Sequence, residues 1–234
     1  MSKRALIVLT SHAKLGETDK PTGFYWEELA VPYWRLRDAG LTVDLASLAG
    51  GAAPADPGSE AEEGRPAAVQ RFLDDADAMA QRQATLAIAD VDPTAYDLIF
   101  LPGGHGTMWD FAQSARLGAV VAQAYEAGAV VGAVCHGPAG LVGARLSDGR
   151  PLVAGKRVNS FTDAEEEAVG LTKVVPFLLE SRLRELGGLF EGNAENFQAH
   201  AVRDERLVTG QNPQSSERVA SLLLQALAEG RAAA

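Results

Sequence analysis

The sequence predicts an α/β protein, a three-layer α/β/α sandwich on a mostly parallel sheet, and two observations carry that prediction. Short runs rich in Val, Ile and Leu alternate with longer segments whose apolar residues recur at helical spacing. The short runs are apolar at consecutive positions, as strands covered by helices on both faces must be. With 234 residues and 47% hydrophobic content the chain can bury one large core, so one domain over 1–234 is expected, with an insertion over about 50–90.

Ala5 to Thr10 is the first strand, and Thr22-Gly23-Phe24-Tyr25-Trp26-Glu27-Glu28-Leu29 leads from its loop into a helix. Thr42 to Ala46 is the second strand. From Gly50 to Pro66 the chain is rich in Gly, Ala, Pro and acid, and Val69, Phe72, Leu73, Ala76, Met79 and Ala80 come after it at helical spacing, which reads as an inserted loop and one cap helix. Such an insertion either roofs a site at the carboxyl ends of the strands or decorates the surface. Asp97 to Leu101 is a strand; Leu117, Val120, Val121, Ala124 and Tyr125 mark a helix that Gly128 closes; Ala129 to Val134 is the next strand. Val174 to Leu186 and Ser215 to Ala228 read as helices, and Phe197 to Val202 and Leu207 to Thr209 as late strands at the sheet edge. There is no internal repeat.

A net charge of -10 and a pI near 4.9 argue against nucleic acid or an anionic membrane as a partner. The start, Met1-Ser2-Lys3-Arg4, is basic, but the apolar run behind it is too short for a signal peptide or a membrane span. A soluble cytoplasmic protein is expected, and a single cysteine, which permits no intrachain disulfide, fits a reducing compartment.

That cysteine is the main candidate for chemistry. Cys135 stands in Val130-Val131-Gly132-Ala133-Val134-Cys135-His136-Gly137-Pro138, where an apolar strand stops at a small-residue turn before a helix predicted to open at Gly137-Pro138. This is the pattern of a nucleophile elbow, which raises the side chain above the sheet edge on a strained backbone. The positive end of the predicted helix would favour a standing thiolate. The competing reading is a small buried hydrophobe. Leu101-Pro102-Gly103-Gly104-His105-Gly106 also comes directly after a strand and can expose backbone N–H groups at the same edge, an oxyanion hole with the His136 N–H as second donor, or a plain tight turn. By spacing alone, Glu28 reads as a solvated first-turn carboxylate that cannot be told from Glu27. His136 with an acid from Ser160-Phe161-Thr162-Asp163-Ala164-Glu165-Glu166-Glu167 can complete a Cys-His-acid relay; Glu165 and Glu167 read as solvated acids of a capped helix start. Tyr25, Met108, Trp109 and Phe161 are candidates to line a pocket or to pack in the core.

These motifs, with Thr22-Gly23 ahead of Glu28 and Pro32, Phe161-Thr162-Asp163 and Leu207-Val208-Thr209-Gly210-Gln211-Asn212-Pro213, resemble in their order the ThiJ/PfpI superfamily of the class I glutamine amidotransferase-like fold. The His105 and His136-Gly137-Pro138 forms are most similar to its branch of glutathione-independent glyoxalases, or glyoxalase III, which double as stress-protective factors. The resemblance implies a flavodoxin-like sheet and a homodimer that needs no cofactor or metal. By position it makes Cys135 the nucleophile, His136 its neighbouring base, Glu28 the buried acid and Glu166 the triad acid, with Asp163 and Glu165 as alternatives. Gly104 and His136 would supply the oxyanion N–H groups, with Gly103 and His105 beside the substrate. His200 is followed two residues later by Val202 rather than Glu, which sets the chain apart from true amidotransferases. The expected reaction is conversion of methylglyoxal, or a related 2-oxoaldehyde, to a 2-hydroxy acid. The alternatives are another Cys-dependent hydrolase (amidase, deglycase, isocyanide hydratase), a stress holdase or a redox sensor.

Overall fold

A computed structural model describes residues 3–230; Met1 and Ser2 of the basic start lie outside the described residues. Its central sheet has seven strands: β1 (Arg4–Leu9), β2 (Thr42–Ser47), β3 (Leu86–Ala87), β4 (Leu98–Leu101), β5 (Val130–Val134), and, past the short β6 (Arg157–Val158) and β7 (Leu189–Phe190), β8 (Ala201–Asp204) and β9 (Leu207–Gly210). The order across it is β3-β2-β1-β4-β5-β9-β8, parallel throughout except for the β8–β9 edge, while β6 and β7 pair with each other in a separate two-stranded sheet. Because β2 and β4 lie on opposite sides of β1, the chain reverses its direction of travel there, and the carboxyl ends of β1, β4 and β5 open one shared crevice.

The pleat decides which helices cover which face. Leu6, Val8, Ile99, Leu101, Val131 and Ala133 pack toward α5 (Ala115–Glu126), after the short α4 (Thr107–Asp110). Ala5, Ile7, Leu9, Leu98, Phe100, Val130 and Val134 turn the other way, toward α1 (Trp26–Asp38) and α8 (Ser216–Glu229). Both faces are therefore dry, as the unbroken apolar runs predict. Among the described residues, no helix is long and apolar enough to cross a membrane.

The insertion holds two helices rather than one, α2 (Ala67–Asp74) and α3 (Ala76–Gln83). Asp75 breaks the periodic run because its carboxylate accepts the Ala78 N–H at 2.8 Å and so starts a second helix. Phe72 docks α2 against α1, its ring 4.9 Å from Tyr33 and 5.6 Å from Trp26 in edge-to-face contact. The predicted helix from Val174 is confined to α7 (Leu179–Glu185), after α6 (Asp163–Ala168). Pro176 accounts for the loss, since a proline disfavours helical backbone at the residue before it, Val175. The strand expected from Phe197 begins only at Ala201, because Phe197 adopts φ +61, which no strand residue does.

Phe72→Ala empties the joint between α1 and α2, and urea denaturation should show a loss of about 3–5 kcal/mol in unfolding free energy.

Candidate active site

At the end of β5 the chain turns on Cys135, a non-glycine residue at φ 58. Such a backbone costs about 1–2 kcal/mol and persists only where its surroundings hold it. Here the Cys135 N–H donates to Gly210 O at 2.9 Å, and its carbonyl accepts the Phe161 N–H at 2.8 Å. Gly137 lets the turn lie against the end of β4: a Cβ there would sit 1.9 Å from Leu101 O. After the elbow the chain forms a 3-10 turn, Gly137–Leu141, and not the predicted α-helix. So few aligned peptides make a weak dipole, and the expected standing thiolate loses its support. Burial pushes the Cys135 thiol well up, and the Glu28 carboxyl beside it pushes it further wherever that group ionises.

Glu28, in the first turn of α1, is fully buried, which corrects the solvated reading. Its Oε2 accepts the Gly103 N–H at 2.6 Å, and the Tyr25 N–H returns a bond to Gly103 O at 3.1 Å, stapling the start of α1 to the loop after β4. Its Oε1 is buried with no hydrogen-bond partner among the described residues. Burial raises its pKa to about 8, against the opposing pull of the Gly103 N–H and Cys135. At neutral pH Glu28 is therefore a carboxylic acid, and Oε1 is the natural seat of the proton beside the sulfur.

A relay lies on the other side of Cys135. Sγ is 3.3 Å from His136 Nδ1, and His136 Nε2 is 2.7 Å from Glu166 Oε2. A carboxylate accepts only, so the proton is assigned to Nε2, leaving Nδ1 free to receive the S–H. Glu166 Oε1 binds a second imidazole, His105 Nε2, at 2.9 Å, and the two rings lie 4.0 Å apart. Burial opposes the Glu166 charge, but the two histidines together hold its carboxyl far below the usual range. Burial, helped by His105, pushes His136 down, so the imidazole is neutral and able to act as a base.

Glu166 is the one among its neighbouring acids that meets the imidazoles. Asp163 accepts the Ser181 hydroxyl at 2.5 Å, and Glu167 is exposed. Glu165 is wholly buried, not solvated as predicted: Oε2 completes a capping box with Thr162, while Oε1 accepts from Phe197 N at 2.8 Å, Gln211 Nε2 at 3.0 Å and Asn212 Nδ2 at 2.9 Å.

The glycine loop contributes unevenly. The Gly103 N–H is given to Glu28, which leaves the N–H groups of Gly104 and His136, the two expected donors, for an oxyanion. The Gly104 N–H meets no acceptor among the described residues, and the His136 N–H faces the sulfur. Gly104 takes φ +98, and a Cβ there would meet Gly23 O at 2.2 Å. Thr107, which sequence reasoning missed, lies with its hydroxyl 2.9 Å from both Gly104 O and His136 O and shares its one proton between them, tying the two donor turns together.

These groups open into a cavity of about 190 Å3 lined by Tyr25, Gly104, His105, Cys135, His136, Phe161, Val169, Phe197, Pro213 and Gln214. Of the four candidates for pocket or core, Tyr25 and Phe161 line it. Met108 is core, and Trp109 stacks on His12 at 5.2 Å instead. Val169, Phe197, Pro213 and Gln214 were missed, since they sit in turns with no periodic signal. The insertion adds no residue to this wall and borders separate cavities, one beside Tyr25 and Glu27 and one beside Trp26, so it flanks the site without roofing it. His200 lies outside, half-buried, its carbonyl accepting from Gln211 N. Among the described residues, His105, His136 and Glu166 bring three ligand atoms within 4.8 Å of one another. A divalent cation there would replace the protons that join the carboxylate to both rings, and so compete with the relay.

Residues 21–226 match the DJ-1/PfpI family. The chain is 32% identical over 231 residues to Glyoxalase 3 of Candida albicans, covering 93% of this chain and 95% of that one. It is 30% identical to a glutathione-independent glyoxalase of Saccharomyces cerevisiae, over 96% of this chain and 98% of that one. Among solved structures, the Rapid Encystment Protein 24 KDa of Francisella tularensis superposes with TM-score 0.92 at 36% identity, over 96% of this chain and 99% of that one. Glyoxalase III of Candida albicans gives TM-score 0.89 at 28% identity, over 96% and 97%.

The raised Glu28 pKa has a thermodynamic consequence. Between the ordinary carboxyl range and about 8 the folded chain keeps a proton the unfolded chain has released, so this group lowers stability progressively as pH rises through that window. Glu28→Gln, an isostere of the neutral acid, should match wild type near pH 5 and exceed it by a few kcal/mol at pH 8 in urea denaturation.

Proposed function

The chain belongs to the DJ-1/PfpI family, and on that premise we propose that it is a glutathione-independent glyoxalase, a lyase that converts methylglyoxal or a related 2-oxoaldehyde to the 2-hydroxy acid and so protects against carbonyl stress. The observation that carries this reading is the flanking of one sulfur by a buried neutral acid, Glu28, and a neutral imidazole backed by a carboxylate, His136 with Glu166.

In the proposed reaction Cys135 Sγ attacks the aldehyde carbon as its proton passes to His136 Nδ1, and Glu166 stabilises the imidazolium. The carbonyl electron pair moves to oxygen, where the N–H groups of Gly104 and His136 hold the alkoxide. Glu28 donates to the sulfur as negative charge develops on it. The alkoxide then takes a proton from the imidazolium, and the C1 hydrogen of the hemithioacetal leaves as a proton to the neutral His136. Its electrons form the C1–C2 double bond of an enediol as Glu28 protonates the C2 oxygen. His136 returns a proton to C2 while the C1 hydroxyl gives its proton back to Glu28, which leaves a 2-hydroxyacyl thioester, and water cleaves the C–S bond and restores the thiol. C1 is oxidised and C2 reduced, so the balance is one dicarbonyl plus one water to one 2-hydroxy acid, with no external redox partner. A homodimeric, cytoplasmic protein is part of the same proposal, supported by the resemblance of the sequence motifs alone.

Purified protein given methylglyoxal without glutathione should form lactate, and in D2O the product should carry solvent deuterium at C2. Cys135→Ala should abolish turnover, and Glu28→Gln and Glu166→Gln should lower kcat by about 10²-fold or more. No lactate from wild type, or full activity of Cys135→Ala, would refute the proposal.

A further inference from the structure

Phe197 stands at a position where its residue type is unfavourable. It adopts φ +61, which a bulky side chain tolerates poorly, while Asn196, a type that accepts this conformation more readily, is next to it. Burial does not explain the choice, because Phe197 remains 39% exposed. The backbone is instead clamped from below: the Phe197 N–H donates to Glu165 Oε1 at 2.8 Å, and that oxygen is locked by the Gln211 and Asn212 amides. Strain held by a buried carboxylate and spent on an exposed ring indicates a working position for that ring.

The ring faces the cavity of the sulfur. Outward from the relay the rings succeed one another, His136 to Phe161 at 4.6 Å and Phe161 to Phe197 at 6.2 Å, and Val169 adds a second exposed apolar side chain to the rim. Glu165 and Glu166 are consecutive, so the turn that presents the acid to His136 also fixes the wall.

We infer that Phe197, held in its left-handed backbone by Glu165, is the wall that receives the substituent of the 2-oxoaldehyde, and that it makes the site favour aryl and other bulky apolar substituents over methyl. Phe197 is a specificity-determining residue, and Glu165 is a positioning residue acting through it. The inference rests on the glyoxalase reading.

The test compares kcat/KM for phenylglyoxal and methylglyoxal. Wild type should prefer phenylglyoxal. Phe197→Ala should lower kcat/KM for phenylglyoxal about tenfold more than for methylglyoxal, chiefly through KM, because an apolar wall contributes binding rather than chemistry. Glu165→Gln keeps an acceptor for the Phe197 N–H and should preserve the ratio, whereas Glu165→Ala should collapse it as Phe197→Ala does. Should Glu165→Ala not fold, Phe197→Ala and Phe197→Leu decide the matter, with Leu keeping part of the preference. Equal losses for both substrates in Phe197→Ala, or an unchanged ratio, would overturn the inference while leaving the glyoxalase reading intact. A wild type inactive on both substrates would defeat that reading, and this inference with it.

Discussion

A carboxyl group sealed from water with no cation beside it keeps its proton at neutral pH, and the site depends on Glu28 being such a group. Were it ionised, its charge would face a sulfur that must itself become negative during attack, and the two anions would share a dry volume. Neutral, it offers an O–H to that developing charge from an oxygen with no other partner among the described residues. The reciprocal bonds between the start of α1 and Gly103 hold this acid against the glycine loop, and the strained Cys135 backbone holds the sulfur against the acid.

The other side of the sulfur obeys the opposite rule. Glu166 stays ionised although buried, because His136 and His105 each give it a hydrogen bond. Two carboxyl groups flanking one thiol are thus driven to opposite protonation states by what surrounds them. An acid and a base can then work together at one pH, which is what moving a proton between adjacent carbons requires. His136 is the shared member, touching Sγ through one nitrogen and Glu166 through the other.

Much of this was legible because it is written locally. Buried strands announce themselves as apolar runs, and a strand that stops at Val134-Cys135-His136-Gly137-Pro138 has few ways to continue. The harder questions concerned phase and distance. Glu27 and Glu28 differ by about 100° around a helix whose packing partners, Gly103 and Cys135, are far away in sequence, so propensity cannot rank them. Glu165 and Glu166 both turn inward, one to Phe197, Gln211 and Asn212 and the other to the histidines; a rule that acids at a helix start are solvated fails wherever distant donors await them. The dipole argument for Cys135 failed because the chain after the elbow makes a short 3-10 turn, Gly137–Leu141, with few aligned peptides. Phe197 was invisible as a wall for a different reason: it sits in an aperiodic turn, and an aromatic amid polar residues looks like the start of a strand.

Everything at the sulfur turns on the protonation state of Glu28, and infrared difference spectroscopy of wild type against Glu28→Gln reads it directly. A protonated carboxyl band should persist through pH 7 and disappear only around pH 8. A carboxylate already formed at pH 6 would mean that Glu28 is not the neutral donor on which the site depends.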